Sequence, residues 1–97
     1  MNLDKFNKAF ENKARLGIMS VLMVNDTINF TGLKEILEMT DGNLATHLKA
    51  LEKVKFISVT KEFVKRKPNT TYSATKSGRA AFEEHLAVLE ALIKRNT

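Results

Sequence analysis

Thr31-Gly-Leu-Lys-Glu-Ile-Leu-Glu-Met-Thr-Asp-Gly-Asn-Leu-Ala-Thr-His-Leu-Lys-Ala-Leu-Glu-Lys-Val54 is the stretch whose reading decides the fold. Thr31 and Thr40 each carry a side-chain oxygen that can accept a backbone N–H of a following first helical turn. From Thr31 a short helix over Gly32 to Leu37 or Glu38 buries Leu33, Ile36 and Leu37. From Thr40, with Asp41 in the first turn where an acid suits the helix dipole, a second helix runs to about Val54. Leu44, Leu48 and Leu51 recur at the spacing of one buried stripe. Asn43, Thr46, Lys49, Ala50 and Lys53 fall opposite that stripe. Lys55 then closes the helix in a left-handed conformation.

Working outward, Phe56 to Val64 is rich in β-branched and aromatic residues, and Thr70 to Ala74 reads as a second strand. The basic turn Lys65-Arg66-Lys67-Pro68-Asn69 between them makes the pair a hairpin. Thr75 caps a last helix from Lys76 to about Arg95. Upstream, Asn12 caps a helix running to Val24, apolar on two sides and therefore central. Leu3, Phe6 and Phe10 lie three and four apart and suggest a short amphipathic helix. Asn29-Phe30-Thr31 is short and β-prone.

The chain has 97 residues, enough for one domain with one modest core. The domain is assigned to 1–97: helices 1–24 and 76–95, a helix pair 31–54, and a hairpin 56–74. The net charge of +5 is unevenly spread. Residues 41–79 carry nine Lys/Arg against three Asp/Glu, while the flanks are neutral or weakly acidic. A basic zone between neutral flanks is the footprint of a polyanion-binding face. Cysteine is absent, which excludes disulfides and thiolate metal sites. The longest apolar run, Ile18 to Val24, is too short to span a bilayer, so no membrane partner and a cytoplasmic location are expected.

Three segments carry a family resemblance. Leu44-Ala-Thr-His-Leu-Lys-Ala-Leu-Glu52 is similar to the recognition-helix pattern V-S-R-H-L-x-x-L-E. Phe56-Ile57 is like the pair that opens the family's hairpin, and Thr71-Tyr-Ser-Ala-Thr-Lys-Ser-Gly-Arg79 resembles Y-S-L-T-x-x-G-R. In this order the stretch Phe30 to Arg79 resembles the winged helix-turn-helix of MarR- and ArsR-like transcriptional regulators, closest to the small stand-alone winged helix DNA-binding domains. Thr46 stands where many relatives have Arg, and Lys55 where Gly is usual. The cysteine motif of metal-sensing relatives is missing, so metal response is not carried over.

The resemblance implies a mainly α (α+β) winged helix-turn-helix with a two-stranded wing and a long C-terminal dimerisation helix. It implies sequence-specific binding of double-stranded DNA by a homodimeric regulator, repressor-like, with no catalysis and no cofactor. The expected DNA-binding residues are Thr40, Asp41, Gly42, Asn43, Thr46, His47 and Lys49 on the recognition helix, with Lys65, Arg66 and Lys67 on the wing. Asn43 suits adenine, and Thr46 a thymine methyl or a phosphate. Arg66 is the best minor-groove candidate. His47 either bonds a phosphate or seals the edge between helix and hairpin. A lone His is a poor metal site, and His85 is structural. The expected dimer interface is Leu3, Phe6, Phe10, Phe82, Leu86, Leu89 and Ile93. The residues name no small-molecule effector. The competing reading is a winged-helix interaction module that turns the same basic face to an acidic protein. An enzyme acting on nucleic acid lacks candidate residues.

Overall fold

The computed structural model describes residues 6–95. After a single 3-10 turn over Lys8–Phe10, the Asn12 side chain accepts the N–H groups of Ala14 and Arg15 and starts α1, Lys13–Val24. Ile18, Met19 and Leu22 of α1 are fully buried, so this helix is central, as its two-sided apolar pattern requires. A short strand β1, Ile28–Asn29, leads straight into α2, Phe30–Leu37. Asn29 rather than Thr31 caps α2: its side-chain oxygen accepts the Gly32 N–H at 2.7 Å, and the helix begins two residues earlier than Thr31 would set it. Leu33 is fully buried, but Ile36 is 58% exposed, because the short helix turns only one flank inward.

Glu38 closes α2 in the left-handed region, and Thr40 caps α3, Asp41–Lys53, from one turn away. Leu44, Leu48 and Leu51 fill the core beneath it. The end of α3 takes the left-handed cap expected at Lys55, whose φ is 63°. Lys55 N–H donates to the Glu52 carbonyl and Phe56 N–H to the Leu51 carbonyl. This paired arrangement satisfies the last carbonyls of the helix.

Strands β2, Ile57–Val64, and β3, Lys67–Ala74, form an antiparallel hairpin. β1 joins the far edge of β3 through Ile28 opposite Tyr72, giving a three-stranded sheet in the order β1-β3-β2. The hairpin turn is tighter than its composition suggests. Only Lys65 and Arg66 lie in it, while Lys67, Pro68 and Asn69 are already in β3. Helix α4, Lys76–Arg95, is capped by Thr75, whose hydroxyl accepts the Gly78 N–H at 3.0 Å.

The start of α4 is pressed against the end of α3. Thr75 and Ser77 hydroxyls both donate to the Lys55 carbonyl, and Thr75 N–H donates to the Phe56 carbonyl. A Cβ on Gly78 would overlap the Phe56 carbonyl oxygen and stand 2.8 Å from its carbon, so only glycine fits. Arg79 reaches across to the Leu22 and Met23 carbonyls at the end of α1.

The described part of α4 corrects the expected interface. Phe82, His85 and Val88 point inward, and Phe82 belongs to the chain's own core together with Phe10. Phe10 packs on the Phe56, Phe82 and His85 rings, so neither Phe10 nor Phe82 retains surface for a partner. Phe6 is half-buried against His85, and Asn7 N–H donates to its Nδ1, which gives His85 the structural place expected of it. Leu86 and Ile93 stay exposed and Leu89 half-exposed. Leu3 lies outside the described residues.

Candidate nucleic-acid interface

The N-terminal half of α3 presents a short polar surface because the leucine stripe turns the other side inward. Thr40, Asp41, Gly42, Asn43, Thr46 and Lys49 are all exposed. Thr40 is committed to its cap, accepting the Asn43 N–H at 3.3 Å. Thr46 donates its hydroxyl back to the Gly42 carbonyl at 2.9 Å, which leaves its lone pairs and methyl outward. A Cβ on Gly42 would meet nothing within 4 Å, so this position is open to the close approach of another chain's backbone.

Asp41 stands in the first turn of α3, and its charge is met locally. Lys34 of α2 holds the Asp41 carboxylate at 2.8 Å. Both side chains are solvated, so the pair adds little to stability; its effect is to blunt one negative charge at this surface.

His47 is tied to α1. Its Nδ1 accepts the Arg15 Nε–H from α1 at 3.2 Å. A guanidinium can only donate, so the neutral ring must carry its proton on Nε2. Sequence reasoning passed over Arg15, since nothing in the local pattern links α1 to a residue 32 positions away. A cleft of about 580 Å³ opens between the first turn of α1, the α2–α3 turn and α3, lined by Lys13, Gly17, Thr40, Asn43 and His47 among others.

At the hairpin tip Lys65 and Arg66 take φ of 51° and 67°. Both residues of the two-residue turn are thus left-handed, the arrangement that matches the twist of the strands but favours Asn and Gly over long side chains. Lys65, Arg66 and Lys67 are exposed, and none makes an ion pair or hydrogen bond through its side chain with the described residues. The same holds for Lys49, Lys53 and Lys61. The basic excess of the middle segment is therefore uncompensated. Deeper in the sheet, burial, and after it the Glu52 carboxylate, push the Tyr72 phenol above its ordinary range.

No group of three or more metal-ligating side chains occurs among the described residues, and no helix there is long and apolar enough to cross a membrane. Residues 14–93 match the family described as winged helix DNA-binding domain. The chain belongs to that family. An uncharacterized protein of Methanocaldococcus jannaschii is 36% identical over 87 residues, spanning 90% of this chain and 95% of its own length. The transcriptional regulator homologue protein of Pyrococcus horikoshii shares the structure at a TM-score of 0.83 and 30% identity, with 89% of this chain and 85% of that one covered. A MarR-family regulator of Enterococcus faecalis has the same fold at a TM-score of 0.72 and 22% identity, covering 92% and 84%. Family and fold are those of DNA-binding transcriptional regulators rather than enzymes.

Proposed function

We propose that this winged helix protein binds duplex DNA sequence-specifically as a homodimer and acts as a repressor in the cytoplasm. In this reading α3 lies in the major groove, where Asn43 and Thr46 meet base edges. Thr40, Lys49 and the Nε2–H of His47 meet phosphate, and Lys65, Arg66 and Lys67 follow the backbone to the minor groove. The observation that carries the reading is the set of exposed cations on α3 and the wing that find no partner within the described chain. The dimer reading rests on α4, where Leu86, Leu89 and Ile93 leave apolar surface outward.

Selection of bound sequences from a random duplex library tests specificity. A dimer should enrich an inverted repeat with half-sites about one helical turn apart. Asn43→Ala and Thr46→Ala should each cost about 1–3 kcal/mol on the selected sequence and much less on random DNA. Leu89→Glu should shift the protein to monomer in sedimentation. Failure to enrich any sequence, with tight salt-sensitive binding to an acidic polypeptide instead, would move the basic face to the protein-interaction reading.

A further inference from the structure

The wing carries an apolar feature as well as a cationic one. Phe63 is 76% exposed and Val64 47% exposed, near the tip of a hairpin. Val64 and Lys67 flank the two-residue turn, so Phe63 opposite Pro68 is the next cross-strand pair. In such a hairpin that pair is the non-hydrogen-bonded one, where side chains stand closest. Pro68 therefore forfeits no ladder bond, and β1, which pairs only at Thr71 and Tyr72, does not reach it. Alternation puts Phe63 and Pro68 on the face that carries Val59 and Tyr72 nearer the body. Tyr72 packs against the core, while Phe63 and Pro68 continue the same face beyond it. A large exposed apolar pair beside the cations of the hairpin tip calls for an occupant.

We infer that Phe63, backed by Pro68, is an apolar wedge that packs into the DNA minor groove beside the cationic tip. Charge chooses this occupant. Lys61, Lys65, Arg66 and Lys67 surround the pair, all exposed and without partners among the described residues, against the single acid Glu62. A minor groove offers the complementary arrangement, rims of phosphate on either side of apolar deoxyribose walls, and Phe and Pro side chains of minor-groove-binding proteins enter it as wedges between base steps. The ribbon is only two strands wide at this point, slim enough to lie along a groove. The inference rests on the DNA reading above and adds a contact whose strength does not come from counterion release.

That difference makes it testable. Phe63→Ala should weaken duplex binding roughly tenfold, the scale of a lost aromatic burial. The slope of affinity against salt should stay unchanged, because no phosphate contact is lost. Phe63→Leu should recover most of the affinity. The chain has no tryptophan, so Phe63→Trp supplies a lone reporter whose emission should shift as duplex is added. Unchanged melting of Phe63→Ala confirms that the fold is intact. Wild-type affinity in Phe63→Ala, or Phe63→Trp emission that ignores saturating duplex but responds to an acidic polypeptide, would overturn the wedge alone. Failure of the wild-type protein to bind any duplex would remove the DNA reading and the wedge together.

Discussion

At the base of the wing the Phe56 carbonyl occupies the space that a Cβ on Gly78 would need, whereas at the tip Lys65 and Arg66 extend into solvent with no partner among the described residues. The base accepts only the smallest residue. The tip keeps two long side chains in left-handed backbone that Asn and Gly would adopt more readily. A non-glycine residue in that region costs about 1 kcal/mol. Close packing thus marks the junction of helix, strand and helix, while two successive left-handed residues sit where the cations project. Residues that look alike as motif members, Gly78 in one strand-to-helix segment and Lys65 in one turn, serve different ends: one fixes geometry, the other presents charge.

The largest expected effect breaks the base. Gly78→Ala should lower stability by about 3 kcal/mol or more, since the clash is with backbone that cannot swing aside. Thermal melting would register it, and a loss below half a kilocalorie would show that α4 can move away from Phe56. Next comes the tip. Replacing Lys65 and Lys67 by Ala should leave melting unchanged while weakening specific and random duplexes alike. The salt slope should drop by about one unit per lost contact in each half-site. A duplex titration across ionic strength would settle it, and an unchanged slope would detach these cations from DNA.

Smaller effects sharpen the contrast. Lys65→Asn with Arg66→Gly should raise stability by about 1 kcal/mol and weaken DNA binding at once. Lys55→Gly, also relieving a left-handed residue but at the base, should raise stability by a few tenths to about 1 kcal/mol and leave binding alone. If both variants bind equally well, strain at the tip has no functional counterpart. The smallest effect is alkaline. The Tyr72 phenol is raised in the folded chain by burial and then by Glu52. Below about pH 10 it is protonated in both states. Above that the unfolded chain releases its proton first, so stability present at lower pH is lost as pH rises toward the folded value. Tyr72→Phe should flatten this decline in melting temperature, and an identical decline in both proteins would show that Tyr72 does not drive it.

The caps at Asn12, Thr40 and Thr75 were legible because each is a local bond between a side chain and an amide two or three residues on. So was the left-handed Lys55, at the end of a leucine stripe with a strand directly after it. Asn29 and Thr31 are both competent caps, and the sequence does not say that β1 pairs with β3 and so fixes Asn29. Pro68 and Asn69 favour turns by composition, yet both pair with β2, because a proline at a non-hydrogen-bonded position costs a strand nothing. Phe10 and Phe82 carry the same apolar pattern whether they face a partner or a core. Only the fold, by packing their rings edge to face, decides. On the candidate DNA face, exposure on α3 followed from its periodicity, but Arg15 against His47 joins two helices distant in sequence and left no local trace.

The Thr75–Arg79 segment has one further consequence. Its hydroxyls hold the Lys55 carbonyl, its backbone fits the Phe56 carbonyl, and Arg79 holds the last carbonyls of α1. Three elements thus share one hub. In the proposed dimer joined along α4, a roll of that helix against its mate would carry the end of α3 and the base of the wing with it. A small rotation at such a seam would displace the far ends of α3 and the wing, so the distance between paired half-sites would be the quantity through which the proposed dimer felt a change at its seam.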